Sequence, residues 1–240
     1  MINDINLEFV SLGQSCQMSC HIKRILGPQK SQIFDNMVVN FDSVISLLKL
    51  SKFTCSDFTN RAINYDSRHH WRFRCNKQDV PLNKNWIEGK ELIECTKFLM
   101  ISPHYIDIGQ FDREISNFTS MMNRRLDRFK QIIKESSPIF FYCANHQFTP
   151  HQIPSSKKIE EFNSLLKQLN PHIKYNLNII IHPEHHCSIN NINTNLPGIN
   201  IYKLQRKHGK HTHRQHFMEP NLNWDEVLNS IFKHRYKFGE

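Results

Sequence analysis

The chemistry open to this chain begins at Cys16. It stands in the run LEFVSLGQSCQMSCHIKR, residues 7–24, where a short apolar stretch passes through Ser-Leu-Gly-Gln-Ser into a segment of helical character. Gly13 can take the positive φ or the close backbone approach that a sharp strand-to-helix turn requires. Ser15 suits the N-cap, which leaves Cys16 in the first helical turn. Unpaired N–H groups and the positive end of the helix dipole stabilise a thiolate there, lowering its pKa and making the sulfur nucleophilic near neutral pH. The backbone N–H groups of the turn, from Gly13, Gln14, Ser15 and Gln17, could also hold an oxyanion or another anion. The arrangement parallels the nucleophile elbow of serine hydrolases, with sulfur replacing oxygen. A plainer reading stays open on the same pattern: Cys16 as a small buried hydrophobe behind a connecting turn.

A thiolate that attacks a carbonyl needs a base and a group that orients the base. His104 follows the apolar run KFLMIS, residues 97–102, and Pro103, which places it at a strand's carboxyl end, where α/β folds gather ligands and catalytic groups. His146, after IFFYCA, and His182, closing a second apolar run, are reserve bases. Asp35 or Asp107 could orient the imidazole. With fifteen histidines in the chain, some fall at strand ends by chance. Cys20, one helical turn after Cys16, is either a resolving thiol or an inward-packing residue. Two clusters, His182, His185, His186 and Cys187, and His208, His211, His213 and His216, lack the H-E-x-x-H or zinc-finger spacing, so no metal is assigned.

The elements that must position these residues alternate along the chain. A helix from Cys16 ends near Leu26 at Gly27-Pro28, and residues 32–34 form a short strand leading to Asp35. Asp42-Ser43 caps a helix through Leu50. Residues 52–95 are irregular and rich in aromatics (Phe53, Phe58, Tyr65, Trp71, Phe73, Trp86), readable as an inserted antiparallel piece or as anchored loops. A strand at 97–102 precedes a helix from Asp112 to Glu135, in which Ile115, Phe118, Met122, Leu126, Phe129 and Ile133 recur at three- and four-residue steps. Strands at 139–144, 177–182 and 199–204 and helices at 159–169 and 224–233 complete the series. This spacing predicts one α/β domain over residues 1–240, a mostly parallel sheet with helices on both faces.

The run FVSLGQSCQMSCHIKRILG, followed by QIFDNMVVNFDSVISLL, resembles a family of largely bacterial and viral proteins known as "putative papain-like cysteine peptidases". Its members open with S-L-G-x-x-C and continue through Pro-Phe-Asp-Trp to a Phe-Asp-Ser helix start. Ser11, Leu12, Gly13 and Cys16 fit the first block, and Phe34, Asp35, Phe41, Asp42 and Ser43 fit the second, with Ile33 and Asn36 replacing the Pro and Trp. His104 fits a Phe-x-His-Asp segment in which the last residue is Tyr105 here, and Arg124, Arg125, Arg128 and Phe129 fit an Arg-Arg-x-x-Arg-Phe helix. The resemblance implies a papain-like or Rossmann-like sandwich and a Cys16–His104 pair with Asp35 in support. It implies a peptide, glycan or small-molecule acyl substrate, since distantly similar proteins occur in glycan-biosynthesis loci. A cofactor is not required, although coenzyme A or a similar acyl donor is an option.

Composition narrows the classes. No apolar run approaches the ~18 residues of a membrane span, and the polar start MINDIN is no signal peptide. Seven cysteines, an odd set without C-x-x-C, argue against a disulfide framework and for a reducing compartment. A cytoplasmic protein, bacterial or in an infected host, is expected. The formal charge of +9 invites an anionic partner. Scattered Lys and Arg without a recognised motif argue against nucleic acid, and the densest basic stretch, Lys203 to His216, alternates with histidine rather than with stacking aromatics. Two functions therefore compete: a cysteine hydrolase or acyltransferase, and a non-catalytic module that holds a coenzyme, sugar nucleotide or polyanion. A thiol redox role would need Cys16 and Cys20 to bridge.

Overall fold

A strand covered on both faces must be apolar at nearly every position, and SPIFFYCA, residues 137–144, meets that condition with all but its first residue buried. The computed structural model describes residues 7–13, 16–61, 71–75, 78–82, 89–102, 104–144, 153–183, 197–207 and 222–236. In chain order these form β1 (Leu7–Ser11), α1 (Cys16–Leu26), β2 (Val38–Val39), α2 (Phe41–Lys49) and β3 (Phe58–Arg61). Next come β4 (Trp71–Cys75), β5 (Gln78–Leu82), β6 (Leu92–Cys95), β7 (Met100–Ser102), α3 (Phe111–Glu135) and β8 (Ser137–Ala144). The chain continues through α4 (Ser156–Leu169), β9 (Asn176–Ile181), β10 (Ile199–Lys203) and α5 (Trp224–Tyr236).

The main sheet has the order β1-β8-β9-β10, with all three pairings parallel. Side-chain alternation divides it into two faces. Phe140, Tyr142, Ala144, Leu177, Ile179 and Ile181 pack into one cluster with apolar residues of α2, α3 and α4. Ile139, Phe141, Cys143 and Ile180 pack on the other side with Met18 and Ile22 of α1 and Val227, Leu228 and Ile231 of α5. Burial of each large apolar side chain is worth about 1.5–3 kcal/mol relative to exposure. The covered sheet is therefore the main stabilising element, and all four strands point their carboxyl ends to one edge.

A second sheet, β2-β7-β6-β3, is antiparallel, and β4 and β5 form a separate hairpin. Within the stretch 52–95 the antiparallel alternative is thus the one realised among the described residues. Val39, Met100, Cys95 and Phe58 line up across the second sheet and join the cluster that covers α3.

Three local expectations are corrected. Residues 33–36 are a turn rather than the end of a strand, closed by Asp35 N–H to Gln32 O at 3.2 Å and Met37 N–H to Phe34 O at 3.2 Å. The N-cap of α2 is Asn40, whose Oδ1 accepts from the N–H of Ser43 at 2.8 Å, so Asp42 and Ser43 lie inside the helix. Strand β7 starts only at Met100, because the Asp57 carbonyl takes the N–H of Thr96 and the Asp57 carboxylate takes Lys97 Nζ at 2.9 Å, drawing these residues out of the ladder. Among the described residues no helix is long and apolar enough to cross a membrane.

Candidate active site

The turn after β1 is built by backbone geometry. Leu12 donates its N–H to Phe141 O at 2.8 Å, prolonging the pairing with β8 by one residue. Gly13 then turns the chain with φ +89°, and a Cβ there would lie 2.1 Å from Val39 Cγ2 and 3.9 Å from Phe34 Cβ. Conformation and space both demand glycine. Its N–H reaches the Ser11 hydroxyl at 3.3 Å. Helix α1 starts at Cys16 and has no acidic residue in its first turn, so nothing on its own first turn offsets the positive dipole end beside the cysteine backbone. Gln17 is buried. Gln14, Ser15 and the side chain of Cys16 lie outside the described residues.

Three faces of α1 reach three neighbours. Met18 and Ile22 pack on the sheet. His21 stacks on Trp224 at 4.3 Å between ring centroids, and Arg24 pairs with Asp225. Cys20 and Lys23 face the turn that carries Asp35, where Lys23 Nζ lies 2.7 Å from Asp35 Oδ2. Cys20 is a free, half-buried thiol. Burial raises its pKa, Asp35 adds to the rise, and the Lys23 charge opposes it. A protonated thiol is a poor resolving group.

The 33–36 turn meets the segment after β7. Asp35 is buried, and its Oδ2 also accepts the N–H of Gln32 at 3.1 Å. Its backbone carbonyl accepts the Tyr105 hydroxyl at 3.3 Å, and that hydroxyl in turn accepts from Asn36 Nδ2 at 3.4 Å and Arg125 at 2.6 Å. The Arg125 guanidinium also lies over the Tyr105 ring, 5.1 Å from its centroid. Asn36 holds φ +60°, a left-handed conformation that asparagine tolerates better than most residues. Arg128 donates to Ser31 O, and Phe129 meets Phe34 edge to face at 5.3 Å, so α3 clamps the whole turn.

His104 is half-buried next to this network. Burial pushes its imidazole below the usual range, and the neighbouring Lys90 ammonium adds in the same direction. Lys90 is itself paired with Asp107 at 2.6 Å. Both candidate orienting carboxylates are therefore engaged by lysines, Asp35 by Lys23 and Asp107 by Lys90.

The structure thus brings the Gly13 turn, the Asp35 turn and the segment of His104 and Tyr105 together through Val39, Phe34 and the Tyr105 hydroxyl. His182 stands elsewhere on the carboxyl edge of the main sheet, buried, with its N–H on Ala144 O at 3.1 Å. His146, His185, His186, Cys187, His208, His211, His213 and His216 lie outside the described residues. Among the described residues no group of three or more His, Cys, Asp or Glu side chains is placed to hold a metal ion. Sequence reasoning missed Tyr105 and Arg125 as a linking pair. Arg125 falls in a recognisable Arg-Arg-x-x-Arg-Phe helix, whereas Tyr105 stands out only as a departure from the Phe-x-His-Asp segment, which says nothing of its partners.

Searches of curated proteins and of solved structures returned no match. The model of one protein family matches residues 7–185, a span that runs from β1 past β9 and includes the Gly13 turn, Cys16, Asp35 and His104. By that match the chain belongs to the family described as "putative papain-like cysteine peptidase".

Proposed function

We propose that the protein is a cysteine-dependent hydrolase or acyltransferase in which Cys16 is the nucleophile and His104 the base. The reading rests above all on one observation, the forced Gly13 turn that presents a helix N-terminus without acidic first-turn residues at the backbone of Cys16. Membership of a cysteine peptidase family supports the same class of chemistry.

In this mechanism the thiol proton passes to the neutral His104 imidazole and the sulfur attacks the substrate carbonyl carbon. The carbonyl π electrons move to oxygen, where N–H groups of the turn and the dipole end hold the negative charge. On collapse the bond to the leaving group breaks, and the imidazolium returns its proton to that group. Water, or another acceptor such as a glycan hydroxyl, then attacks the acyl thioester and releases the sulfur. The depressed pKa of His104 keeps it unprotonated near neutral pH, the form able to take the thiol proton. Asp35 acts as a positioning residue, tying α1 through Lys23 and the His104 segment through Tyr105.

A non-catalytic anion-binding module is favoured by the same helix end and by the charge of +9. The test is turnover of a panel of fluorogenic peptide amides and acyl thioesters by the full chain and by Cys16→Ala. The enzyme reading expects activity on at least one class that falls at least a thousandfold in Cys16→Ala, the scale of a lost nucleophile. Turnover that survives the substitution would contradict it.

A further inference from the structure

Helix α1 meets the start of α5 through one ring stack and one chain of polar contacts. His21 and Trp224 lie face on face, with 21° between their planes, and each is 2 % exposed. Arg24 Nη2 lies 3.3 Å from His21 Nδ1 and also donates to Asp225 Oδ1. A guanidinium carries donors only, so Nδ1 accepts and the ring is neutral, with its proton on Nε2. Arg24 thus bridges two acceptors, one on each helix, and the bridge requires an uncharged His21. Trp224 Nε1 is enclosed without a hydrogen-bond partner, so it gains one when water reaches the ring. Trp224 and Asp225 both lie beyond residue 185, outside the span that the family model matches.

We propose that His21 is a pH-sensitive latch between α1 and α5. A proton on Nδ1 turns an N–H against the N–H of Arg24 and sets a second positive charge beside it in an enclosed site, so the bridge breaks and the Trp224 face opens. The other titratable groups around the ring do not reverse this. On α1, Lys23 and Cys20 turn to the Asp35 side. On α5, Asp225 attracts the charged ring, but its Oδ1 is already taken by Arg24, and Glu226 is engaged by Asn223 Nδ2 at 3.4 Å. Lys207, past the end of β10, acts on Asp225 with the same sign as Arg24. The sheet beneath contributes the thiol of Cys143 and, by alternation with Ile180, the ring of His182. The unfolded chain takes the His21 proton without these penalties, so the contact is whole at the upper end of the histidine range, about pH 8, and is lost toward about pH 5. Because α1 begins at Cys16, acidification loosens the support of the candidate nucleophile, although the latch does not depend on the cysteine-hydrolase reading.

The test labels the full chain with fluorotryptophan and follows the fluorine resonance of Trp224, one of three tryptophans, assigned from single Trp→Phe variants. The change in its chemical shift between light and heavy water reports water at the ring, and it is measured from about pH 8 to about pH 5 beside the far-UV circular dichroism. The expected result is a solvent shift that rises in one step on acidification while the helical signal stays constant. That step is lost in His21→Asn, which keeps an acceptor for Arg24 and cannot titrate, and is reduced in Arg24→Met, which removes the opposing charge from an exposed position and so decides the matter even where His21→Asn fails to fold. A resonance that moves with pH while its solvent shift stays small would mean that His21 titrates without opening the contact, and would overturn the proposal. So would the absence of a step, a step that coincides with loss of helical signal, or one that keeps its full amplitude in either variant.

Discussion

The two sides of the candidate site are held by different forces. Around Cys16, position is set by backbone conformation and hard contact: a glycine at φ +89° pressed against Val39, and a helix that starts three residues later. Around His104, position is set by polar side chains that reach in from afar, with Tyr105 joining Asp35, Asn36 and Arg125. Steric construction is all-or-nothing and insensitive to pH or salt. A hydrogen-bonded construction is graded, since each bond contributes only about 0.5–1.5 kcal/mol net. The Cys16 backbone is therefore the fixed reference of the candidate site, and His104 is the part whose placement substitutions can tune.

The largest expected effect breaks the steric side. Gly13→Ala puts a methyl group 2.1 Å from Val39 Cγ2 in a backbone region that disfavours L-residues, at a cost of about 2–4 kcal/mol. Urea unfolding should show this loss, and Val39→Ala added to Gly13→Ala should recover part of it. A cost below about 1 kcal/mol would mean that the turn relaxes easily.

On the polar side, Asp35→Asn weakens the contact with Lys23, one-third exposed, and should cost about 1–3 kcal/mol in the same assay. Tyr105→Phe removes one hydroxyl that serves three partners. It should cost about 1–2 kcal/mol and slow Cys16 chemistry more than Asp35→Asn does, because it frees the neighbour of His104 directly. If Tyr105→Phe leaves the reactivity of Cys16 untouched, the linking role of Tyr105 is wrong.

The smallest effect concerns pH. The folded pKa of His104 lies below its unfolded value of about 6.5, so the unfolded chain binds its proton first as pH falls. Stability is unaffected above that value, declines as pH drops through it, and levels off below the folded pKa. His104→Gln should therefore flatten the fall in melting temperature between roughly pH 7.5 and pH 5. A profile identical to wild type would mean that His104 is not buried as described.

The same contrast decides what could be read in the sequence. Gly13 and the start of α1 at Cys16 were legible, because a strand, a glycine turn and a helix start are local features within ten residues. The strand Ser137–Ala144 was legible because burial on both faces leaves an unbroken apolar run. The second sheet was not, since its strands of two to four residues carry no long pattern and pair across distant segments. Tyr105 and Arg125 were hidden for a related reason, as their contacts span twenty and seventy positions. Two departures from the family pattern, Asn36 in place of Trp and Tyr105 in place of Asp, turn out to share one hydrogen bond. Each looked like loss of a motif when read alone. Together they form a link between the Asp35 turn and the segment that carries His104.

The central claim is that the Cys16 thiol is activated by its helix end and by His104. Its most direct test is the rate of iodoacetamide labelling at Cys16, resolved by peptide mass spectrometry across roughly pH 4 to pH 9, in wild type and in His104→Ala. The account predicts that Cys16 reacts as a thiolate well below the ordinary thiol pKa of about 8.5, with a midpoint that moves upward when His104 is removed. A midpoint at the ordinary value, the same in both proteins, would contradict it and leave the anion-binding module as the better reading of the fold.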